Sequence, residues 1–565
     1  MNVNKISEVE FMEFMKKYHH WIENSDAKTA EELKALAGND AEIEDRFYKD
    51  LEFGTAGLRG VIGACSNRMN IYTVAKATKG FADYICSKGE KAKEDGIVIA
   101  HDNRRMSREF AEITAGVLAA NGIKAYLFES LRTTPELSFS VRYLGCFGGV
   151  VITASHNPPE YNGYKLYDEN GCQLIPCLAD EVTKFVNAVE DELKVKFLSL
   201  EEAGDLVEIV GEEIDETYYE EVLSLQFDPD CERNIKVVYT PQHGTGNIPV
   251  RDVLDEAGYI VLPVLSQCDP DPDFSGTKSP NPEVPAAYEA AIELMKEHNA
   301  DIAIATDPDC DRLGAVINCN GDYRLITGNQ SGAILLNYVL TRMTEQGTMP
   351  ENPVMINTIV TSTLGDKVAL SFGVDVEKTL TGFKFIGDKI KNHNALGDKQ
   401  YVFGYEESYG CLIGDFARDK DAVQASLMFC EAADYYKKQG KTLVDVLDEL
   451  SDKLGYYLDT QSSAAFKGAD GSEKMNALLE EMRANPISEA AGLKVVAAED
   501  YLNNPPEDFV PSNVLRYTLE DGSFVAIRPS GTEPKCKVYY CVRGNDKADA
   551  ETKLAALKEV FDIKA

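Results

Sequence analysis

Gly149-Val-Val-Ile-Thr153 runs directly into Ala154-Ser-His-Asn-Pro158. A β-branched run of strand length that ends in a polar, proline-bounded loop reads as a buried strand delivering that loop to its carboxyl end. The arrangement recurs along the chain. Ile97-Val-Ile-Ala100 leads into His101-Asp-Asn-Arg104, and Val237-Val-Tyr-Thr240 into Pro241-Gln-His-Gly-Thr-Gly246. Ile302-Ala-Ile-Ala-Thr306 leads into Asp307-Pro-Asp-Cys-Asp-Arg312, and Tyr401-Val-Phe403 into Gly404-Tyr-Glu-Glu-Ser408. Each loop is expected to open a helix. Strands alternating with helices predict an α/β fold with parallel or mixed sheets, and in such sheets ligands gather at the carboxyl ends of the strands.

The two ends depart from this pattern. Residues 1–45 read as helical: Ser7 to Glu23 carries Val9, Phe11, Phe14 and Met15 at helix-like spacing, and Thr29 to Leu36 behaves similarly. Near the C-terminus a helical piece, Ser472 to Ala484, precedes Phe524-Val-Ala-Ile527, a Pro/Gly-rich loop and Lys535-Cys-Lys-Val-Tyr-Tyr-Cys-Val542. Strand, loop and strand after a helix predict a final α+β domain.

A chain of 565 residues suggests three or four domains. Acidic residues outnumber basic ones by 94 to 57, for a net charge of −37. Nucleic acid and anionic membrane are therefore excluded as expected partners, because both need a basic surface. No apolar run approaches the ~20 residues that span a bilayer, and the start lacks the apolar core of a signal peptide. The thirteen cysteines form no C-x-x-C and the seven histidines no H-x-x-x-H. Reduced thiols, no structural zinc and a cytoplasmic location are the expectation.

Three loops carry candidate chemistry. Asp307, Asp309 and Asp311 alternate along one loop, which either aims carboxylates at a hard divalent cation or is a solvated acidic turn. An EF-hand does not fit, since its sixth position would be Arg312 and its twelfth Asn318. Asp269, Asp271 and Asp273 form a second such triplet. Arg312 either balances the first triplet or reaches a phosphate beside it. Ser155 stands where a nucleophile would, but also where a helix N-cap would, the commoner use of such a serine. In Arg528-Pro-Ser530-Gly531-Thr532-Glu-Pro-Lys535, a hairpin explains the proline and glycine. Two hydroxyls with a guanidinium and an ammonium favour a phosphate. Nucleotide loops fail: Gly440-Lys441-Thr442 lacks its upstream glycine at Tyr435, and Gly244-Thr-Gly246 ends in Pro249.

Together and in order, these motifs resemble the α-D-phosphohexomutases, the phosphoglucomutase/phosphomannomutase family, and look closest to its long phosphoglucomutase-2-like branch. The resemblance implies that Ser155 carries a transferable phosphoryl group with His156 close by. It implies Mg²⁺ held by Asp307, Asp309 and Asp311 together with Ser155; three carboxylates exceed the one or two usual for Mg²⁺, so Mn²⁺ is also expected to serve. Arg59, in Gly54-Thr-Ala-Gly-Leu-Arg59, would lie near the transferring phosphate, with Arg312 as a further donor. Lys165 and His156 become proton carriers, a role for which the lysine needs a lowered pKa. Sugar contacts fall to Glu406 and Ser408, to Thr381, Gly382 and Lys384, and to Lys420. Arg528, Ser530, Gly531 and Thr532 would bind the non-reacting phosphate.

The implied architecture is three related α/β domains with mixed sheets and a C-terminal α+β domain around a central cleft. Its divisions would be a helical extension 1–45, then 46–212, 213–328, 329–460 and 461–565. The implied reaction interconverts glucose 1-phosphate and glucose 6-phosphate through a phosphoserine and glucose 1,6-bisphosphate, which also activates; phosphomannomutase and phosphopentomutase are the alternatives. The implied partner is a small sugar phosphate, on a monomer or homodimer. Tyr405 separates Gly404 from Glu406 where many short members have no such residue, and is expected to alter the sugar pocket.

Overall fold

The computed structural model describes residues 8–54, 57–466, 471–529 and 535–563. It contains four sheets. In the first, Gly148–Ile152, Ile97–His101, Ala125–Phe128 and Val207–Val210 run parallel, while Tyr161–Tyr167 pairs antiparallel with Gly148–Ile152 and, on its other side, with the edge strand Leu58–Val61. In the second, Lys236–Thr240, Ile260–Pro263 and Ile302–Thr306 are parallel, with Leu313–Cys319 and Asp322–Ile326 antiparallel. The third pairs Pro353–Thr358 in parallel with Asp375–Thr379 and Gln400–Tyr405, and closes with the short antiparallel Cys411–Leu412. The fourth is wholly antiparallel and carries the helices Gly471–Ala484 and Lys547–Phe561. Every residue of Ile97–His101 and of Ile302–Thr306 is buried, as expected of central strands covered by helices on both faces.

Two expectations change. Only the loops after His101 and Thr240 lead into helices, Ser107–Ala120 and Asn247–Glu256. Those after Ile152, Thr306 and Tyr405 lead into antiparallel strands. The loops that carry Ser155, the Asp307 triplet and Glu406 are thus strand-to-strand returns, which is what makes the sheets mixed. The expected divisions also cut through elements. The division at 460/461 falls inside Tyr456–Ala465, which pairs along its length with Lys535–Gly544 and so belongs wholly to the last sheet. The one at 45/46 cuts the helix Asp40–Phe47, and those at 212/213 and 328/329 fall one residue inside Glu212–Leu223 and Gly328–Gln346.

The N-terminal helices Glu8–Asn24, Ala27–Lys34 and Asp40–Phe47 share one apolar cluster with the first domain: Phe14, Trp21 and Phe47 pack with Cys65 and Tyr72. All thirteen cysteines are free. Among the described residues no helix is long and apolar enough to cross a membrane.

Candidate active site

The strand Gly148–Ile152 ends at Thr153, whose Oγ1 accepts the Ser155 N–H at 2.9 Å. Ser155 adopts the left-handed region, φ 51°, a conformation non-glycine residues hold only when their surroundings impose it. The restraint is Arg104. Its guanidinium donates to the carbonyls of Ser155, Asn157 (2.6 Å), Pro158 (2.8 Å) and Tyr161 (3.0 Å). With the carbonyls gathered behind, Ser155 Oγ faces Asp307 Oδ2 at 2.7 Å and His156 Nδ1 at 3.2 Å. The next element is a strand, so the N-cap reading does not hold. Burial, with Arg312 and Arg59 nearby, keeps the His156 imidazole well below its usual pKa and therefore neutral.

Asp307, Asp309 and Asp311 come from the return between Ile302–Thr306 and Leu313–Cys319 and are 0, 1 and 2% exposed. Asp307 Oδ1 accepts the N–H groups of Asp311 (3.2 Å) and Arg312 (3.1 Å). Asp309 Oδ2 accepts Lys165 Nζ at 2.8 Å and Thr134 Oγ1 at 3.1 Å, while Asp311 Oδ2 pairs with Lys420 Nζ at 2.8 Å. Asp309 Oδ1 and Asp311 Oδ1 are buried with no hydrogen-bond partner among the described residues. One carboxylate oxygen from each of the three lies within 4.8 Å of the others. Buried, under-satisfied, all-oxygen donors fit a hard divalent cation. The second triplet behaves differently: Asp271 accepts the N–H groups of Asp273 (2.9 Å) and Ser275 (2.8 Å), and Asp273 pairs with Arg105. It is a structured acidic turn.

Burial, with Asp309 and Asp311 adding to it, pushes the Asp307 carboxyl well above the usual range. Burial would do the same to Asp309, but Lys165 and Lys420 outweigh it and hold that carboxyl below the range. Lys165 corrects an expectation. Burial alone would lower it, yet Asp309 and Asp311, 2.8 and 3.6 Å away, raise it. In this arrangement Lys165 is a firmly held ammonium, opposite to what a base needs.

The remaining residues extend the site. Arg59 lies at the first sheet's edge strand with Nη1 3.5 Å from Asn157 Oδ1, and Arg312 is paired with Glu283. Leu313 N donates to Tyr409 O at 2.9 Å, tying the aspartate return to the loop that carries Glu406 and Ser408. Glu406 Oε1 accepts the Gly382 N–H at 2.8 Å, so the loops of Thr381–Lys384 and Glu406–Ser408 meet directly. Thr381 Oγ1 is buried without a hydrogen-bond partner among the described residues. A chain of electrostatic neighbours, Asp311, Lys420, Glu406, Lys384 and Arg528, runs from the aspartates to the fourth domain. Ser530, Gly531 and Thr532 lie outside the described residues.

Tyr405 does not enter this pocket. It is fully buried in the third domain, with its ring against Gly332 and its hydroxyl end against Gly365. A Cβ at either glycine would come within 2.2 and 2.1 Å of it. Sequence reasoning missed Arg104, Thr134 and Glu283. Arg104 stands in a strand-end loop, but nothing in its spacing marks the carbonyls it binds 50 or more residues away.

Four domain families match in succession: phosphoglucomutase/phosphomannomutase alpha/beta/alpha domain I over residues 50–192, domain II over 216–321, domain III over 327–454, and the C-terminal domain over 475–558. Among solved structures, the open form of parafusin, a phosphoglucomutase from Paramecium, superposes with a TM-score of 0.67 at 19% identity, covering 91% of this chain and 94% of its own. A phosphoglucomutase/phosphomannomutase family protein from Burkholderia thailandensis gives 0.67 at 18%, covering 90% and 96%. These two share the fold. Sequence relatives are nearer: the phosphoglucomutase of Staphylococcus haemolyticus (strain JCSC1435) is 40% identical over 515 residues, 88% of this chain and 91% of that one. That of Staphylococcus aureus (strain USA300) is 37% identical over 557 residues, 95% and 97%. The chain belongs to the phosphoglucomutase/phosphomannomutase family, whose enzymes are phosphotransferring isomerases.

Proposed function

We propose that this enzyme interconverts glucose 1-phosphate and glucose 6-phosphate. The observation that supports it best is the approach of Ser155 Oγ to Asp307 Oδ2, 2.7 Å across two domains, which brings a nucleophile to the rim of a cation cage. Phosphorylated Ser155 donates to the free sugar hydroxyl, giving glucose 1,6-bisphosphate, and takes the other phosphate back after the intermediate turns over in the cleft. Such transfer asks for positioning and charge neutralisation more than for covalent chemistry.

Asp307, Asp309 and Asp311 would hold Mg²⁺ or Mn²⁺ together with Ser155, supplying positive charge to the phosphoryl oxygens. Arg59 and Arg312 add directional donors at the same phosphate. Neutral His156 is placed to accept a proton at Nδ1, while Lys165, as an ammonium, orients Asp309. Glu406 and Ser408 read the sugar hydroxyls, and Thr381, Gly382, Lys384 and Lys420 line that pocket. Arg528, Ser530, Gly531 and Thr532 grip the far phosphate, so that either end of the intermediate is presented in line. Thirteen free thiols suit a reducing cytoplasm.

The test is competition among glucose 1-phosphate, mannose 1-phosphate and ribose 1-phosphate in Mg²⁺, with glucose 1,6-bisphosphate as activator. Glucose 1-phosphate should win on kcat/KM. Equal values for all three would remove the glucose assignment, and failure to isomerise any of them would remove the mutase itself.

Lys384 gives the reaction a pH dependence. Burial and the neighbouring Arg528 lower it to about 8, with Glu406 acting the other way. The ammonium is present below that pH and lost as pH rises through it, so KM for the sugar phosphate should climb above about pH 8. Lys384→Arg should keep KM flat to higher pH; an unchanged alkaline limb would detach Lys384 from substrate. Stability runs in the opposite sense. Between about 8 and the ordinary lysine value the unfolded chain binds the extra proton, so the cost of burying this lysine is full below pH 8 and fades above it.

A further inference from the structure

The acidic loop Asp269–Gly276 is one of two look-alike triplets, and the reaction leaves it without a task. It packs against residues 103–105, whose Arg104 in turn grips the loop that carries Ser155. Phe274, 2% exposed and itself at φ 52°, lays its ring 5.0 Å from the Arg104 guanidinium. On either side of Arg104 in sequence, Asn103 Nδ2 donates to Asp271 O at 2.9 Å and Arg105 pairs with Asp273. The loop is braced from within by the Asp271 carboxylate, and from below by His243, whose ring joins Asp269 O (2.8 Å) to the Gly276 N–H (3.0 Å). A side chain at Gly276 would come within 2.6 Å of that histidine.

Arg104 is equally fixed from the first domain. Its side chain is fully buried, its Nε lies 3.2 Å from Asp102 Oδ2, and Asp102 Oδ1 accepts both the Arg104 N–H (3.0 Å) and Ser107 Oγ (2.6 Å). One guanidinium therefore joins four carbonyls of the Ser155 loop on one side to an aromatic face of the second domain on the other. The aspartates facing Ser155 Oγ belong to that same second domain.

We infer that Arg104 is a positioning residue for the nucleophile, and that the Asp269–Gly276 loop, through Phe274, sets where Ser155 Oγ meets Asp307, Asp309 and Asp311. The two halves of the reacting centre sit on different domains, and a misplacement of ~1 Å costs such a centre about a hundredfold in rate. Thr134, which donates to Asp309 from the first domain at 3.1 Å, anchors the aspartates. The Phe274–Arg104 contact anchors the serine. The kinetic part of this inference rests on the mutase reading; the structural part does not.

Phe274→Ala in the full-length chain loosens the aromatic support, and Asn103→Ala removes one hydrogen bond of the same contact without opening a core cavity. Hydrogen–deuterium exchange should accelerate by about tenfold at the amides of residues 154–160, with the rest of the first sheet unchanged. In Mg²⁺, kcat should fall by about tenfold to a hundredfold with KM held within about twofold, and Phe274→Tyr should restore both. Acceleration confined to 154–160 in either variant supports the inference. Unchanged exchange there in both, or acceleration spread over the whole first domain with a normal kcat, overturns it. If the unmodified enzyme isomerises no sugar phosphate, the functional reading falls while exchange still decides this one.

Discussion

Ser155→Ala should lower turnover by about four orders of magnitude or more and leave the fold in place. The hydroxyl is the acceptor of the phosphoryl group in the proposed cycle, and no neighbouring side chain can take over: His156 Nδ1 stands beside Oγ rather than in its place. Loss of a nucleophile that splits one hard step into two is not compensated by the surrounding donors. Stability should change by only ~1 kcal/mol, because one hydrogen bond to Asp307 disappears and alanine leaves almost no cavity. The strained backbone at residue 155 is retained, since Arg104 imposes it through carbonyls rather than through the side chain. Intact-protein mass gives an independent readout. The unmodified enzyme should carry one phosphoryl group after exposure to glucose 1,6-bisphosphate and the variant none. Near-normal turnover in the variant would falsify the phosphoserine cycle.

Lys165→Met should produce the largest loss of stability among single changes at the site. Methionine preserves the apolar stem and much of the volume, so what is removed is the charge 2.8 Å from Asp309. Asp309 is 1% exposed, and stripping one partner from a buried ion pair typically costs about 3–5 kcal/mol. Thr134 then remains as a hydrogen-bond donor to Asp309, and the balancing charge is left to the more distant Lys420, Arg59 and Arg104. The sign with pH is fixed by Asp309, whose carboxyl is held below its ordinary range. The pair's contribution is present above the unfolded value of ~4 and is lost as pH falls towards the depressed one. The Tm difference between the two proteins should therefore be full at neutral pH and narrow in acid. Mg²⁺ should reduce it as well, since a cation that replaces the missing ammonium charge beside Asp309 binds the variant more tightly than the parent and stabilises it more by mass action. Equal Tm values in metal-free buffer at pH 7 would show that Lys165 does not support Asp309.

Much of the fold is legible in the sequence, for identifiable reasons. Val98, Val150, Val238 and Ala303 sit in runs buried on both faces, and such runs announce a strand without any partner being known. The element after each loop is not legible in the same way. Whether Pro158 leads to a helix or to Tyr161–Tyr167 depends on Leu58–Val61 and Gly148–Ile152 being there to pair with the returning strand. Local spacing holds no record of such long-range pairing. The Asp307 and Asp271 loops look alike as strings and differ only in company: the first is reached by Ser155, Lys165 and Lys420, the second by its own backbone and Arg105. The inserted Tyr405 reads as a pocket residue because it adjoins Glu406, yet alternation along a strand sends neighbours to opposite faces. The sense of the Lys165 shift is hidden because motif order names its neighbours without saying which carboxylate it touches.

That the serine, aspartate and glutamate loops are turns between strands bears on what sequence change the protein can absorb. A loop opening a helix can gain or lose a residue and let the helix rotate to fit. Here the strand that leaves the aspartate turn, Leu313–Cys319, is held on one side by Ile302–Thr306 and on the other by Asp322–Ile326. A change of one residue in Asp307–Arg312 that slipped this pairing by one position would send every side chain of the strand, buried on both faces from Leu313 to Ile317, to the opposite face of the sheet. The aspartate turn should therefore accept substitution more readily than a change of length, and an engineered insertion should be tolerated better at a connection such as Asp228–Asn234, where no such strand return constrains the count.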